Sequence, residues 1–106
     1  MGMAPENSFI KVSNTPAIYM VTMGSADTEY PQTLPAHSRF IQVQSRGTYD
    51  IRMAFATGKV ASGTLEHWTV KSSDKSPQFI NLDLSNGTLY LACGTTSQIA
   101  EVVVWR

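Results

Sequence analysis

Hydrophobic positions in this chain recur with a period of two, the spacing of a half-buried β-strand. In Tyr49-Asp50-Ile51-Arg52-Met53-Ala54-Phe55, the residues Tyr49, Ile51, Met53 and Phe55 fall on one face, with Asp50, Arg52 and Ala54 on the other. Phe40-Ile41-Gln42-Val43-Gln44 sets Ile41 and Val43 against Gln42 and Gln44. The intervening Ser45-Arg46-Gly47-Thr48 is short and holds a glycine, which predicts a hairpin. A second hairpin is predicted at Asn86-Gly87, because a type I′ turn needs positive φ at both central residues and Asn-Gly tolerates it best. It would join Phe79–Leu84 to Thr88–Cys93, turning Leu82, Leu84, Leu89, Leu91 and Cys93 toward the core.

Phe9–Val12, Ala17–Met23, His67–Lys71 and Gln98–Trp105 complete a set of about eight short strands. No stretch carries a convincing apolar stripe of period 3.6 with caps, so little or no helix is expected. Gly24 to Ser38 contains Pro31 and Pro35, and proline cannot donate to a ladder, so this segment is predicted as a loop. Thr57 to Leu65, with Gly58 and Gly63, is a second loop, and residues 1–8 form a loose arm. The last strand is apolar on both faces: Ala100, Val102 and Val104 on one, Ile99, Val103 and Trp105 on the other. Such a strand is either central in the fold or covered by a partner.

Composition narrows the function classes. The 106 residues are enough for one domain. Eight basic and eight acidic side chains cancel, and charged residues make up only 15% of the chain. Neutral hydroxyls stand in their place, with 11 Ser and 11 Thr. A neutral surface associates readily and lacks the basic footprint of a nucleic-acid binder. The apolar runs, such as Val102-Val103-Val104, are too short to span a membrane as a helix. No basic stretch followed by an apolar one opens the chain, so synthesis in the cytoplasm is expected. The single cysteine, Cys93, excludes an intrachain disulfide and a cysteine-based zinc site.

The chain carries few signs of catalytic chemistry. Gly58-Lys59-Val60-Ala61-Ser62-Gly63-Thr64 resembles a phosphate loop, but Thr64 stands where the motif needs Lys. There is no Gly-x-Ser-x-Gly elbow, and neither His37 nor His67 is tied to a serine. Cys93 reads as a small core hydrophobe and His67 as a surface histidine. Asp27 and Glu29 are too few for calcium, which takes 6–8 oxygens, and read as solvated. Asn86-Gly87-Thr88 fits a glycosylation acceptor, yet turn formation explains it fully. Among the aromatics, Trp68 and Tyr49 share parity with core positions, while Tyr30 and Trp105 are the rings expected at the surface.

Ser38 to Arg106 resembles small virion proteins of tailed bacteriophages. The likeness lies in Leu65-Glu66-His67-Trp68-Thr69-Val70, in Asn81-Leu82-Asp83-Leu84-Ser85 leading to Thr88-Leu89-Tyr90-Leu91-Ala92, and in the closing Glu101-Val102-Val103-Val104-Trp105-Arg106. It covers about two-thirds of the chain and consists of strand patterns. The resemblance implies a structural role without catalysis, as a small all-β protein that decorates or cements a capsid or sits at the neck or tail.

The expectation is therefore an all-β chain, one antiparallel β-sandwich or jelly-roll-like barrel spanning residues 1–106. Its expected function is that of a non-enzymatic virion protein, a capsid decoration protein present in many copies. Partner contacts are expected at Tyr30, Leu34, His37, Val103 and Trp105. The expected partners are the major capsid protein or other virion proteins and further copies of the chain, with no cofactor, metal, nucleic acid or membrane. The alternatives are a neck, tail or fibre component and a carbohydrate-binding module, the last using Tyr30 or Trp105.

Overall fold

The computed structural model describes residues 16–72, 78–84 and 87–105. Eight strands and no helix occur among them: β1 (Ala17–Met23), β2 (Tyr30–Leu34), β3 (Ser38–Ser45), β4 (Ile51–Ala54), β5 (Trp68–Val70), β6 (Gln78–Leu84), β7 (Gly87–Cys93) and β8 (Gln98–Trp105). They form two antiparallel sheets, a first in the order β1-β8-β3-β6 and a second in the order β2-β7-β4-β5. The expected strand at Phe9–Val12, the arm and Asn86 lie outside the described residues.

Alternation dictates how the sheets face each other. Val21, Met23, Ile41, Val43, Ala100, Val102 and Val104 of the first sheet meet Leu34, Ile51, Met53, Val70, Leu89, Leu91 and Cys93 of the second in one buried cluster. Ala17, Tyr19 and Tyr30 pack at its margin. The side chains of the expected core residues Leu82 and Leu84 lie outside the described residues. The Cys93 thiol donates to the Asp50 carbonyl at 3.3 Å, a buried group with a partner. Ser38, the buried polar side chain among those described, donates its hydroxyl to the Pro35 carbonyl at 2.5 Å.

Both expected hairpins are corrected. β3 pairs with β8 and β6, and β4 pairs with β7 and β5, so residues 46–50 cross from one sheet to the other. β6 and β7 likewise lie in different sheets. The strand pair joined in sequence and paired in space is β4–β5, across the long segment 55–67. The reason is physical: alternation says which face is buried, and a short connection can span the ~10 Å between packed sheets as easily as it can fold a strand back. Three of these connections use a non-glycine residue at positive φ, Asp27 at 51°, His37 at 63° and Ser97 at 58°. Such residues turn the chain sharply where no strand ladder continues.

The expected loop at Gly24 to Ser38 is also corrected, because its middle is β2. Among the described residues this strand is an edge, paired on one side to β7 alone, and an edge is where a sheet tolerates Pro31. Tyr49, Phe55 and Trp68 were expected in the core by parity, yet they are 48%, 41% and 57% exposed. β4 spans Ile51–Ala54, which leaves Tyr49 and Phe55 beyond its ends, and Trp68 opens the short edge strand β5.

Candidate interaction face

The two outer faces of the sandwich differ. The second sheet is clad by its own loops, and Arg52 on β4 is the fastener. Its Nε donates to the Val60 carbonyl at 2.7 Å, and Nη2 reaches the Ala61 carbonyl at 3.5 Å and the Asp27 carboxylate at 2.5 Å. Glu29 accepts the Thr57 hydroxyl at 2.7 Å and the Gly58 amide at 2.8 Å. The two acids expected to be solvated therefore tie segment 24–29 to segment 55–67, and Val60 is fully buried beneath. Replacing Arg52 with Met is expected to cost about 1–3 kcal/mol, because several acceptors lose their donor. Urea unfolding measures the loss, and faster amide exchange through residues 55–67 would accompany it.

The first sheet presents apolar side chains instead. Across β1, β8 and β3 the register sets Ile18 beside Val103 and Val103 beside Gln42, then Met20 beside Glu101 and Glu101 beside Gln44. Ile18 is 67% exposed and Met20 60%. These residues and Arg46 line a shallow groove of about 290 Å³. Farther along, Trp105 stands opposite Phe40, and Ile99 opposite Thr22. Phe40 is buried although it lies outside the core cluster.

The charges on this face neutralise each other. Glu101 accepts from Gln44 Nε2 at 2.6 Å and from Arg46 Nε at 2.9 Å, with Arg46 Nη2 at 2.8 Å. A second contact of Nη2, 2.7 Å to the Met20 sulfur, lays the guanidinium along the groove. The Gln44 hydrogen bond first, and Arg46 after it, hold the Glu101 carboxyl below its ordinary value. A lowered folded-state pKa stabilises above the unfolded pKa, and the benefit disappears as pH falls through the folded value. Glu101→Gln should therefore be destabilised at neutral pH by under about 1 kcal/mol and match the parent chain in strong acid. Paired denaturation curves at neutral and acid pH check this.

A second, polar groove of about 480 Å³ lies where segment 46–50 meets β5 and residues 94–95, with Tyr49, Asp50, Arg52, His67 and Thr69 among its walls. Its charged and imidazole groups are engaged, Arg52 in the loop contacts above. Asp50 accepts the Ser72 amide at 2.9 Å and has Lys71 at 3.8 Å. His67 Nδ1 donates to the Leu65 carbonyl at 2.7 Å. Among the described residues, no three His, Cys, Asp or Glu gather as a metal-binding group.

The five expected contact residues do not share one surface. Val103 and Trp105 lie half-buried on the outer face of the first sheet. Leu34 is 4% exposed and belongs to the core, so it is not available to a partner. Tyr30 is half-buried on β2, where its hydroxyl accepts the Ser25 amide at 2.8 Å. His37 is exposed in the turn between β2 and β3. Tyr30 and Trp105 therefore sit in different sheets and form no common platform. Sequence reasoning missed Ile18 and Met20, although β1 carried the signal: like β8 it is apolar on both parities. Compared with known proteins, the chain matches no family model and no curated protein sequence.

Proposed function

We propose that this chain is a non-enzymatic structural protein of a bacteriophage virion, a capsid decoration or cement protein that binds the outer shell in many copies. The observation that carries the reading is the apolar outer face of the first sheet, with Ile18 and Met20 more than half exposed and Arg46 and Glu101 neutralising each other between them. An apolar face whose one ion pair is internally neutralised fits a partner surface that is itself apolar and neutral, and full burial of one such side chain contributes about 1.5–3 kcal/mol. One copy held by a few side chains binds weakly. Many copies that bridge neighbouring shell subunits stabilise the closed shell by binding it in preference to its opened state. We also read the strand order, in which each chain-consecutive pair except β4–β5 changes sheets, as a jelly roll.

The runner-up, a carbohydrate-binding module, draws support from the polar groove beside the exposed Tyr49 ring. The shell reading is tested by mixing the purified chain with shells from the source lysate and sedimenting them. Co-sedimentation that saturates near one chain per shell subunit is expected. A chain left wholly in the supernatant would overturn the reading.

A further inference from the structure

An edge strand leaves one side of its backbone unpaired, and proteins block such edges with proline, charge, bulges or shortness. Among the described residues there are four sheet edges, and three are blocked. β2 carries Pro31, and β5 is three residues long. β6 holds Asp83 and takes one extra residue against β3, between the Ser38–Leu84 and Phe40–Asn81 pairs. β1 has none of these devices. Its seven residues, Ala17-Ile18-Tyr19-Met20-Val21-Thr22-Met23, include no charge, proline or glycine, and its ladder to β8 runs without a shift.

We propose that β1 joins two copies of this chain, edge to edge and antiparallel about a two-fold axis, so that two first sheets become one eight-stranded sheet. The occupant of the edge must be an extended, uncharged strand that can itself be paired. In a second copy the blocked β2, β5 and β6 do not qualify, and β1 does. Pleat parity then fixes the register. Directly opposed residues point to the same face, so the axis passes through a residue position rather than between two. Centring it on Met20 uses the whole strand: Met20 meets Met20 of the second copy, Ile18 meets Thr22, Tyr19 meets Val21 and Ala17 meets Met23. Outward Ile18, Met20 and Thr22 then form one row across the junction, and inward Val21 and Met23 extend the two cores toward each other. Zero net charge opposes the approach of two copies least.

This pairing stands without the virion reading and is tested on the purified chain alone. Sedimentation velocity over a range of concentrations should show a monomer–dimer equilibrium. Amide exchange in β1 should slow as the dimer fills. Met20→Lys places two like charges at the axis and should weaken dimerisation by about tenfold or more. Its lysine faces Glu101 on β8, which keeps folding intact. Val103→Lys alters the same outer face one strand in from the edge and should leave the dimer unchanged. A chain that stays monomeric at millimolar concentration overturns the proposal, including a monomer whose β1 amides are already protected by another segment of the same chain. A dimer lost in Val103→Lys but kept in Met20→Lys overturns it as well, because face-to-face stacking would then hold the copies.

Discussion

Leu91→Ala is expected to cost 2–5 kcal/mol, the usual range for truncating a buried leucine whose neighbours collapse only partly. Leu91 is fully buried on β7, an inner strand of the second sheet, with Tyr30 of β2 and Met53 of β4 as its register partners. From β7 it points at the first sheet, so the cavity would open at the layer that holds the sandwich together. Domains of this size have only about 5–15 kcal/mol in total. The melting temperature should fall by roughly 10 °C or more. Tyr49→Ala, at an exposed position, should shift stability by no more than about 0.5 kcal/mol. A loss below about 1 kcal/mol for Leu91→Ala would mean that the two sheets do not pack through this residue.

Ile18→Asp should abolish co-sedimentation with shells while leaving thermal stability nearly unchanged. Ile18 is 67% exposed and its β8 partner is Val103, so no charge opposes an aspartate in the free protein. In the bound state the same carboxylate would be pressed against an apolar surface without a partner. Loss of the buried isoleucine together with that desolvation should weaken each contact by about 100-fold or more. Sedimentation with shells and a melting curve separate the outcomes. Full binding by a folded Ile18→Asp chain would remove this face from the contact.

The sequence carried the strands well and their neighbours poorly. Period-two alternation placed β3, β4, β6 and β7 to within two residues at either end, because burial of one face is a local pattern, while β1 and β8 showed as apolar runs on both parities. It gave no hold on pairing. Gly47 suggested a turn that would close a hairpin, whereas that turn carries the chain from one sheet to the other. β2 was hidden by Pro31, which excludes an inner strand but not an edge. Trp68 and Tyr49 shared parity with core residues, yet parity extends only as far as the strand: Tyr49 lies outside β4, and Trp68 is the first residue of β5. Loop cladding was equally illegible, since Asp27 is far in sequence from Arg52, and Glu29 from Thr57 and Gly58, and these partners met only through the fold. The apolar doubling of β8 was read directly. Its significance depends on β1 beside it, where Ile18 and Met20 show the same doubling.

The two proposals together would give this sheet two separate means of association, one at its edge and one on its face. The backbone of β1 offers hydrogen bonds in the plane of the sheet, and Ile18, Met20 and Val103 offer apolar contact perpendicular to it. Pairing of two copies would double the width of the apolar face without covering it, and two linked contacts on one lattice bind more tightly than either alone.

Copy number in intact particles tests the central claim most directly. Particles from the source lysate, purified on a density gradient, would be assayed for this 11.6 kDa chain against the major shell protein. The account predicts a ratio near that of the shell subunit. Absence from the particles, or a trace amount fitting only a neck or tail, would contradict it.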